Sequence, residues 1–338
     1  MELVYHDISR IDEIKSFIQE WENGSDYISC NTSGSTGAPK LIQLSKKQLT
    51  HSAMRTIEYF ELRAGMKAGL ALSMDGIAGK LMVVRSMLAQ LELHVLPVKK
   101  NPLAGVETSL DFIALVPTQA IAFLSDSKDR QKETTLLIGG APLTSTQHQS
   151  IFSYWKHAYQ SYGMTETASH VALRQITADE DAPYYAMNGI SFDQENSHLV
   201  IYCRDFDKGG GGVHTTDSVE LLSPDSFRYI GRKDFVINVA GNKVHPEEVE
   251  RKLNGYIAGE FMIIPFQDND YGQGIGLVLT TEGNALSIEG FKAIEGIKAY
   301  EIPRKQTILD QLERNINDKL DRKSMIEAGK SYVWQPIL

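Results

Sequence analysis

The chain has 338 residues, with 34 Lys and Arg against 43 Asp and Glu, a formal net charge of −9 and 42% hydrophobic residues. This composition is typical of a globular enzyme and excludes collagen-like, disordered and small disulfide-rich proteins. The acidic balance, without a long Lys/Arg run, argues against nucleic acid or an anionic membrane surface as the main partner. At roughly 100–200 residues per domain, the length predicts about two domains.

The cysteines and the N-terminus indicate the compartment. Cys30 and Cys203 provide neither metal-ligand spacing nor a disulfide framework, so reduced thiols are expected. The N-terminal segment carries acidic residues where a signal peptide needs a basic and then an apolar region. No segment approaches the ~20 consecutive apolar residues of a membrane span. We therefore expect a cytoplasmic protein.

The first 60 residues predict a helix at 10–22 and then a strand–loop–strand–helix unit. The strands are expected at 27–30 and 40–44, on either side of a run of small residues. Ser45, with Gln48 three residues later, has the spacing of a capping box and predicts the start of a helix.

From there to about residue 160, strands and helices alternate, which predicts a doubly wound, mostly parallel sheet. The strands are expected at 91–98, 112–116 and 136–138, and the helices near 77–90, 118–125 and 144–156.

Beyond residue 190 the pattern changes to short strands around the run Gly209–Gly212, which predicts a small antiparallel β subdomain at about 190–232. The glycines are consistent with a mobile loop or with an ordinary turn. The last hundred residues predict a separate α+β unit. Its strands are expected near 235–239, 261–264 and 275–280, and its helices near 246–254, 289–299 and 308–320.

The run from Asn31 to Lys40 is rich in Gly, Ser and Thr. Such a run exposes backbone N–H groups and hydroxyls together, as phosphate binding requires, and Lys40 adds a positive charge. It is not a Walker A loop, because that motif needs Gly-Lys-Ser/Thr at the start of a helix and here Pro39 precedes the lysine. Considered by itself, the run is also compatible with a surface turn.

The segment Thr32 to Lys40 resembles the phosphate-binding signature of the acyl-adenylate-forming superfamily, which comprises acyl-CoA synthetases, luciferases and peptide-synthetase adenylation domains. Further segments resemble that family's motifs in the same order. They are Gly139-Gly140-Ala141-Pro142, Tyr162-Gly163-Met164-Thr165-Glu166-Thr167, Thr216-Asp217, Gly231-Arg232-Lys233-Asp234 with Gly241, and Asn317-Asp318-Lys319-Leu320.

The resemblance implies a fold and an activity. The expected α/β fold has an N-terminal adenylation domain at 1–232, containing the sheet and the antiparallel subdomain, and a small mobile α+β domain at 235–338. Asp234 would be the hinge. The implied activity is ATP- and Mg²⁺-dependent conversion of an acid into an acyl-adenylate, followed by transfer of the acyl group to coenzyme A.

The resemblance also assigns roles to residues. Lys319, Thr165 and Glu166 would act in catalysis, with Glu166 on Mg²⁺, and Gly241 would lie near coenzyme A. In isolation, each charged residue would more often be a surface charge. The expected nucleotide-binding residues are Thr32, Ser33, Gly34, Ser35, Thr36, Gly37, Lys40, Gly139, Gly140, Ala141, Tyr162, Gly163, Met164, Asp217 and Arg232.

The stretch from Ser161 to His170 resembles the o-succinylbenzoate–CoA ligase branch, in which Ala-Ser typically follows the Thr-Glu-Thr motif. The implied substrate, o-succinylbenzoate, has a second carboxylate, and a buried anion requires cations or donors. The candidates for that contact are Lys80, Arg85, His170 and Arg174, each of which can equally cap or solvate a helix end. Another aryl- or acyl-CoA synthetase and a non-catalytic acyl-adenylate-binding module are the alternatives.

Two features depart from the family pattern. Residues 73–80 lack the aromatic-His element usual in the acyl-binding segment, which bears on the identity of the acid. Few residues precede the phosphate loop, where relatives have a longer N-terminal subdomain. We therefore expect a shortened version of the fold, whose exposed flank a second subunit would cover in a homodimer.

Overall fold

The computed structural model describes residues 1–31, 41–126, 133–206, 212–268, 272–281, 286–314 and 320–338. The α-helices of this part of the chain are α1 (Ile11–Glu22), α2 (Lys46–Tyr59), α3 (Ile77–Ala89), α4 (Pro117–Asp126), α5 (Ser145–Tyr154), α6 (Pro246–Leu253), α7 (Ile288–Lys292) and α8 (Arg322–Gly329). None of these helices has the length and apolar character that a membrane crossing requires.

Two sets of strands follow one another along the chain. The first comprises β1 (Glu2–Tyr5), β2 (Tyr27–Asn31), β3 (Leu41–Ser45), β4 (Lys67–Leu70), β5 (Glu92–Val95), β6 (Phe112–Leu115), β7 (Thr135–Ile138), β8 (Ala158–Met164), β9 (Ser169–Gln175), β10 (Tyr184–Ala186), β11 (Ile190–Glu195), β12 (His198–Cys203), β13 (Val213–Ser223) and β14 (Ser226–Arg232). The second comprises β15 (Ile237–Val239), β16 (Asn242–Val244), β17 (Phe261–Asp268), β18 (Gly272–Thr280), β19 (Lys305–Leu309) and β20 (Gln335–Pro336).

The large sheet has the strand order β1-β5-β4-β6-β7-β8-β9-β10-β14-β13-β12-β11. In this order, every pairing from β1 to β8 is parallel. Helices α3, α4 and α5 return the chain between β4 and β5, β6 and β7, and β7 and β8. In the rest of the sheet order, from β8 through β14 to the edge strand β11, every pairing is antiparallel. The antiparallel strands predicted at about 190–232 are therefore present, and hydrogen bonds through β9 and β10 make them a continuation of the parallel sheet.

The parallel half is covered by helices on both faces. In β6, Phe112 and Ala114 join a core that includes side chains of α1, α2 and α3. The alternate residues, Ile113 and Leu115, join a second core with side chains of α4 and α5. Because successive side chains of a strand point to opposite faces, one strand contributes side chains to both cores. The predicted doubly wound α/β architecture is confirmed.

The two strands and the helix predicted near the N-terminus are also confirmed. Strands β2 and β3 pair antiparallel, so Asn31 and Leu41 lie opposite each other at the two ends of the 32–40 run. The Ser45 hydroxyl then accepts a hydrogen bond from the Gln48 N–H at 3.1 Å and caps α2. The run itself lies outside the described residues, as does the glycine run from Gly209 to Gly211.

The second sheet has the order β16-β15-β18-β19-β20, with β17 on β18, and α6 and α8 pack on β17. Two helix predictions are corrected here. The helix expected near 289–299 ends at Lys292, and Gly296 takes a positive φ of 78° that a helix does not continue through.

The helix expected at 308–320 is wrong in the described part of that range. Residues 305–309 form β19, parallel to β18, because main-chain bonds to a central strand replace the local helical bonds. The helix begins later, at Arg322, where the Asp321 carboxylate accepts from the Ser324 N–H at 3.1 Å. Residues 315–319, including Lys319, lie outside the described residues.

Candidate active site

A half-buried tyrosine–carboxylate pair joins β8 to β13. The Tyr162 hydroxyl donates to Asp217 Oδ2 at 2.5 Å. Burial raises the pKa of Tyr162 well above its usual value, so the phenol keeps its proton. Burial also raises the pKa of Asp217, although the hydrogen bond from Tyr162 and the charge of Arg232 oppose that shift. The pair places a carboxylate and an aromatic ring side by side at one end of β8.

Arg232 connects this pair to the start of the second sheet. It lies opposite Asp217 in the β13–β14 register, with Nε 3.8 Å from Asp217 Oδ1. Its Nη2 donates at 2.7 Å both to Thr216 Oγ1 and to Asp234 Oδ2. The two residues predicted to bind ribose and the predicted hinge residue therefore form one polar cluster.

The Thr165–Thr167 segment forms a single tight turn between β8 and β9. The turn is held from α2, because Ser52 Oγ donates to the Ala168 carbonyl at 2.6 Å and Gln48 Nε2 donates to the Glu166 carbonyl at 3.3 Å. The helix that follows the small-residue run thus positions this second motif. The Glu166 side chain remains exposed.

Two glycines of the predicted motifs lie where a side chain would clash. A Cβ on Gly163 would lie 2.2 Å from the Ser169 carbonyl oxygen, at an irregularity in the β8–β9 register. A Cβ on Gly139 would lie 2.7 Å from Ser161 Oγ, next to Tyr162. The Gly139–Ala141 turn and the Tyr162 motif are therefore in direct contact, although more than 20 residues separate them.

Two of the four candidates for the second carboxylate have their polar groups engaged elsewhere. Arg174 donates from Nε and Nη2 to Gln160 Oε1, at 2.9 and 2.6 Å, and from Nη1 to the Glu180 carbonyl. Lys80 places its ammonium 5.2 Å from the centre of the Phe17 ring.

The other two candidates, Arg85 and His170, are buried near each other. Arg85 is 1% exposed, and its Nε and Nη2 have no hydrogen-bond partner among the described residues. Burial lowers the pKa of Arg85 to about 9, so it remains charged at neutral pH. Burial and the charges of Arg85 and Arg55 lower the pKa of His170 well below its usual value, so its imidazole is neutral.

Arg55 is a member of this group that the sequence did not reveal. It lies in α2 and is 5% exposed, and two of its guanidinium nitrogens, Nε and Nη2, have no partner in the described part of the chain. A charged residue in an amphipathic helix ordinarily faces solvent. No local pattern marks Arg55 as buried, because its burial depends on how α2 packs on α3 and β9.

The predicted hinge and coenzyme A residues lie at the edge of the second sheet. Asp234 is in a short turn, Lys233–Phe235, between β14 and β15. Gly241 is in the turn between β15 and β16, with φ of 86°, and its N–H donates to Asn238 Oδ1 at 2.9 Å. A positive φ of this size explains why glycine occupies this turn.

The site can hold a nucleotide and, with it, a hard cation. Mg²⁺ is usually bound by one or two carboxylates together with phosphate oxygens. Glu166 offers one exposed carboxylate, and no group of three His, Cys, Asp or Glu side chains lies together among the described residues. This donor set fits a cation that the phosphates help to bind.

Comparisons with known proteins identify the family of this chain. The family model described as AMP-binding enzyme matches residues 16–200, more than half of the chain. Curated relatives include the 2-succinylbenzoate–CoA ligase of Geobacillus, which is 24% identical over 331 residues, 87% of this chain and 67% of that protein. The 2-succinylbenzoate–CoA ligase of Haemophilus influenzae is 22% identical over 79% of this chain and 62% of that protein. The chain thus spans about two thirds of the length of these relatives.

Solved structures show the same fold. An acyl-CoA synthetase (AMP-forming)/AMP-acid ligase II-like protein from Dyadobacter fermentans is 30% identical, with a TM-score of 0.62 over 96% of this chain and 95% of that chain. The o-succinylbenzoate CoA synthetase of Bacillus subtilis in complex with its acyl-adenylate intermediate is 19% identical, with a TM-score of 0.73 over 90% of this chain and 70% of that chain.

The fold is that of adenylate-forming enzymes. The chain belongs to the AMP-binding enzyme family, within the acid–CoA ligase superfamily. The predicted family membership is confirmed.

Proposed function

We propose that the protein is an AMP-forming acid–CoA ligase that uses ATP, Mg²⁺ and coenzyme A, and that its acid is o-succinylbenzoate. The observation that carries the choice of acid is Arg85, a buried guanidinium beside His170 with two nitrogens that have no partner among the described residues. An uncompensated buried cation is costly, and a substrate carboxylate would pair with it. The named activity of the curated relatives supports the same acid.

The nucleotide would bind along the Tyr162–Asp217–Arg232 cluster. Tyr162 would stack on adenine beside the turn formed by Gly139, Gly140 and Ala141. Asp217 would accept hydrogen bonds from the ribose hydroxyls, and Arg232 would donate to the same sugar after releasing one of its present partners, Thr216 or Asp234.

The phosphates would lie against backbone N–H groups and hydroxyls. In the described part of the site, Gly163, Met164 and Thr165 would lie against the phosphates, and the Met164 N–H would first have to leave its present acceptor, Thr167 Oγ1 at 3.0 Å. Glu166 would contribute a carboxylate to Mg²⁺. The remaining phosphate ligands, Thr32, Ser33, Gly34, Ser35, Thr36, Gly37 and Lys40, lie outside the described residues.

The reaction would have two steps. First, a carboxylate oxygen of the acid attacks the α-phosphorus of ATP, and pyrophosphate leaves with the bonding electron pair. Positive charge and alignment are what such a transfer needs, and Lys319 would supply the charge. Second, the thiol of coenzyme A attacks the acyl carbonyl, the thiol proton is lost, and AMP leaves.

The second step would follow a rotation of residues 235–338 relative to residues 1–232 about Asp234. The present Arg232–Asp234 contact of 2.7 Å would then break, and the Gly241 turn would approach the pantetheine arm.

A panel of acids tests the proposal through pyrophosphate release. We expect release with o-succinylbenzoate and loss of the first step in Lys319→Ala, while ATP binding and thiolysis of supplied acyl-adenylate persist. Lys330→Ala is the matched control, since Lys330 is an exposed lysine paired with Glu327.

Release with a fatty or another aryl acid alone would contradict the choice of acid and leave the ligase activity standing. Unchanged pyrophosphate release in Lys319→Ala would contradict the role of the lysine. No release with any acid would favour a non-catalytic acyl-adenylate-binding module.

A homodimer remains part of the proposal. Among the described strands, β1 pairs only with β5, so it forms one edge of the large sheet. An unprotected edge can pair with another chain. Light scattering that gives the mass of a dimer would support this assembly, and a strictly monomeric protein would contradict it.

A further inference from the structure

The main chain just beyond β4 is held by side chains from both faces of the large sheet. Arg10 immediately precedes α1, which packs on one face, and Gln119 belongs to α4, which packs on the other. Both side chains are almost fully buried, Arg10 at 5% and Gln119 at 6% exposed. Buried N–H groups need acceptors, so the acceptors of these two side chains show which part of the fold they stabilise.

Arg10 binds three carbonyl oxygens at the carboxyl ends of β4 and β5. Its Nη1 donates to the Leu70 carbonyl at 3.0 Å and to the Leu96 carbonyl at 2.6 Å, and its Nη2 donates to the Leu72 carbonyl at 2.8 Å. The Leu70 oxygen also accepts from the Leu96 N–H, so the guanidinium uses its second lone pair. The carboxylate of Glu13, 2.5 Å from Arg10 Nε, compensates the buried charge.

Gln119 binds the same two strand ends from the other face. Its Nε2 donates to the Ala71 carbonyl at 3.0 Å and to the Lys99 carbonyl at 3.2 Å. Its Oε1 accepts from the Val116 N–H at 3.2 Å, so the other side of the carboxamide caps the start of α4. Each carbonyl of residues 70–72 is therefore bonded to one of the two side chains.

The segment held in this way leads directly into α3. Leu70 is the last residue of β4, and only residues 71–76 separate it from the start of the helix. A Cβ on Gly79 would lie 2.2 Å from the Ser73 carbonyl oxygen, so the first turn of α3 is in main-chain contact with that segment. The position of α3 relative to the sheet therefore depends on where residues 70–72 lie.

This segment lies at the edge of the sheet that also carries the proposed nucleotide site. Strands β4, β6, β7 and β8 run in the same direction, and Gly139 follows β7 while Tyr162 lies near the carboxyl end of β8. In open α/β sheets, ligands bind at the carboxyl ends of the strands. Because α3 carries Arg85, the proposed contact of the acid, whatever fixes α3 here also fixes the acid relative to the nucleotide.

We propose that Arg10 and Gln119 are positioning residues for the acid. By holding residues 70–72 from the two faces of the sheet, they keep α3 where the acid can reach the α-phosphate, and ATP binding does not depend on them. The inference rests on the proposed function, since an acid must react with bound ATP. Neither side chain contacts the acid, so the proposal applies to whichever acid of the panel the enzyme uses.

Gln119→Glu tests the donor by itself, because a carboxylate keeps the oxygen that caps α4 but offers no N–H to the Ala71 carbonyl. We expect kcat/KM for the preferred acid to fall by about tenfold, and the Kd of ATP to change by less than about twofold. Gln147→Glu is the matched control, since Gln147 is also the third residue of its helix and its Oε1 accepts from the Thr144 N–H at 3.1 Å. An unchanged kcat/KM, or an equal loss of ATP affinity, would overturn the proposal.

Arg10 provides a graded series. Arg10→Met removes every donor, whereas Arg10→Lys keeps the charge and a group that can donate to a carbonyl, so we expect Arg10→Lys to recover part of the kcat/KM that Arg10→Met loses. Glu13→Gln removes the ion pair and leaves the three carbonyl bonds, so its kcat/KM for the acid should stay near that of the wild type. A loss in Glu13→Gln as large as that in Arg10→Met would assign the effect to the ion pair and overturn the proposal. If Arg10→Met does not fold, Arg10→Lys and Gln119→Glu decide.

Binding of the acid separates this proposal from the proposed function. Calorimetry without ATP, with o-succinylbenzoate and then the other acids of the panel, should show binding that Gln119→Glu weakens by about tenfold and Gln147→Glu leaves unchanged. If no acid supports pyrophosphate release but this difference is found, the ligase activity fails and the positioning role stands. Normal release in both Gln119→Glu and Arg10→Lys would leave the ligase standing and refute the positioning role. A wild type that neither binds an acid nor releases pyrophosphate would overturn both.

Discussion

The Tyr162 hydroxyl and the Asp217 carboxylate are 55 residues apart in the chain and 2.5 Å apart in the fold. Three strands, β9, β10 and β14, separate β8 from β13 in the sheet. The contact therefore crosses the face of the antiparallel half, over Phe227, whose ring centre is 5.0 Å from that of Tyr162. It fixes the ring on which adenine is proposed to stack relative to the carboxylate proposed to bind ribose.

Removing the hydroxyl tests this relationship. Tyr162→Phe leaves the aromatic ring but deprives a half-buried carboxylate of its donor, so we expect the free energy of unfolding to fall by about 1–3 kcal/mol and ATP affinity to fall as well. Urea unfolding and calorimetry measure the two effects. Tyr185→Phe is the control, because Tyr185 is 57% exposed. Equal stability of the two variants would show that the hydrogen bond contributes nothing.

The raised pKa of Asp217 predicts a dependence of stability on pH. A folded-state pKa above the unfolded value means that the folded protein binds the proton more tightly. This stabilisation is complete below the ordinary carboxyl pKa and is lost as the pH rises through the raised value. The difference in the free energy of unfolding between Asp217→Asn and the wild type should therefore shift in favour of the variant as the pH rises through the raised pKa, while the ATP affinity of the variant is lower. Urea unfolding across that pH range checks this; a constant difference between the two proteins would be inconsistent with it.

Arg85 should destabilise the free protein. Burial lowers its pKa to about 9, so below that pH the folded protein contains a charged guanidinium, two of whose nitrogens have no partner in the part of the chain that the structure describes. We expect Arg85→Met to raise the free energy of unfolding by about 1–4 kcal/mol at neutral pH. Addition of o-succinylbenzoate should raise the melting temperature of the wild type but not that of the variant. A destabilised Arg85→Met that the acid still stabilises would count against both the charge argument and the proposed contact.

Gly163 is required by close packing of the main chain. A Cβ at this position would lie 2.2 Å from the Ser169 carbonyl oxygen, so Gly163→Ala must shift β8 or β9. We expect a loss of about 2–3 kcal/mol in the free energy of unfolding and weaker nucleotide binding. Gly24→Ala is the control, because a Cβ there would meet nothing within 4 Å. Wild-type stability in Gly163→Ala would refute the packing argument.

Local patterns in the sequence predicted much of the fold. The alternation of apolar runs with helical stretches predicted the parallel sheet, and Ser45 with Gln48 predicted the start of α2. Both depend on neighbours within a few residues, since side-chain periodicity and capping are short-range effects. The ordered motifs likewise indicated the family, because each motif is a short segment that can be read without its surroundings.

The sequence by itself thus determined the α/β class, the adenylate-forming family and the candidate residues of the nucleotide site. Only the tertiary structure decided that residues 305–309 are a strand, since that depends on pairing with β18. It alone distinguished Arg85 and Arg55, which are buried and keep nitrogens without a partner among the described residues, from Arg174, whose donors are bonded to Gln160 and the Glu180 carbonyl. The physical reason is that burial and ion pairing depend on residues far apart in the chain, whereas the sequence records directly only what neighbours impose on one another.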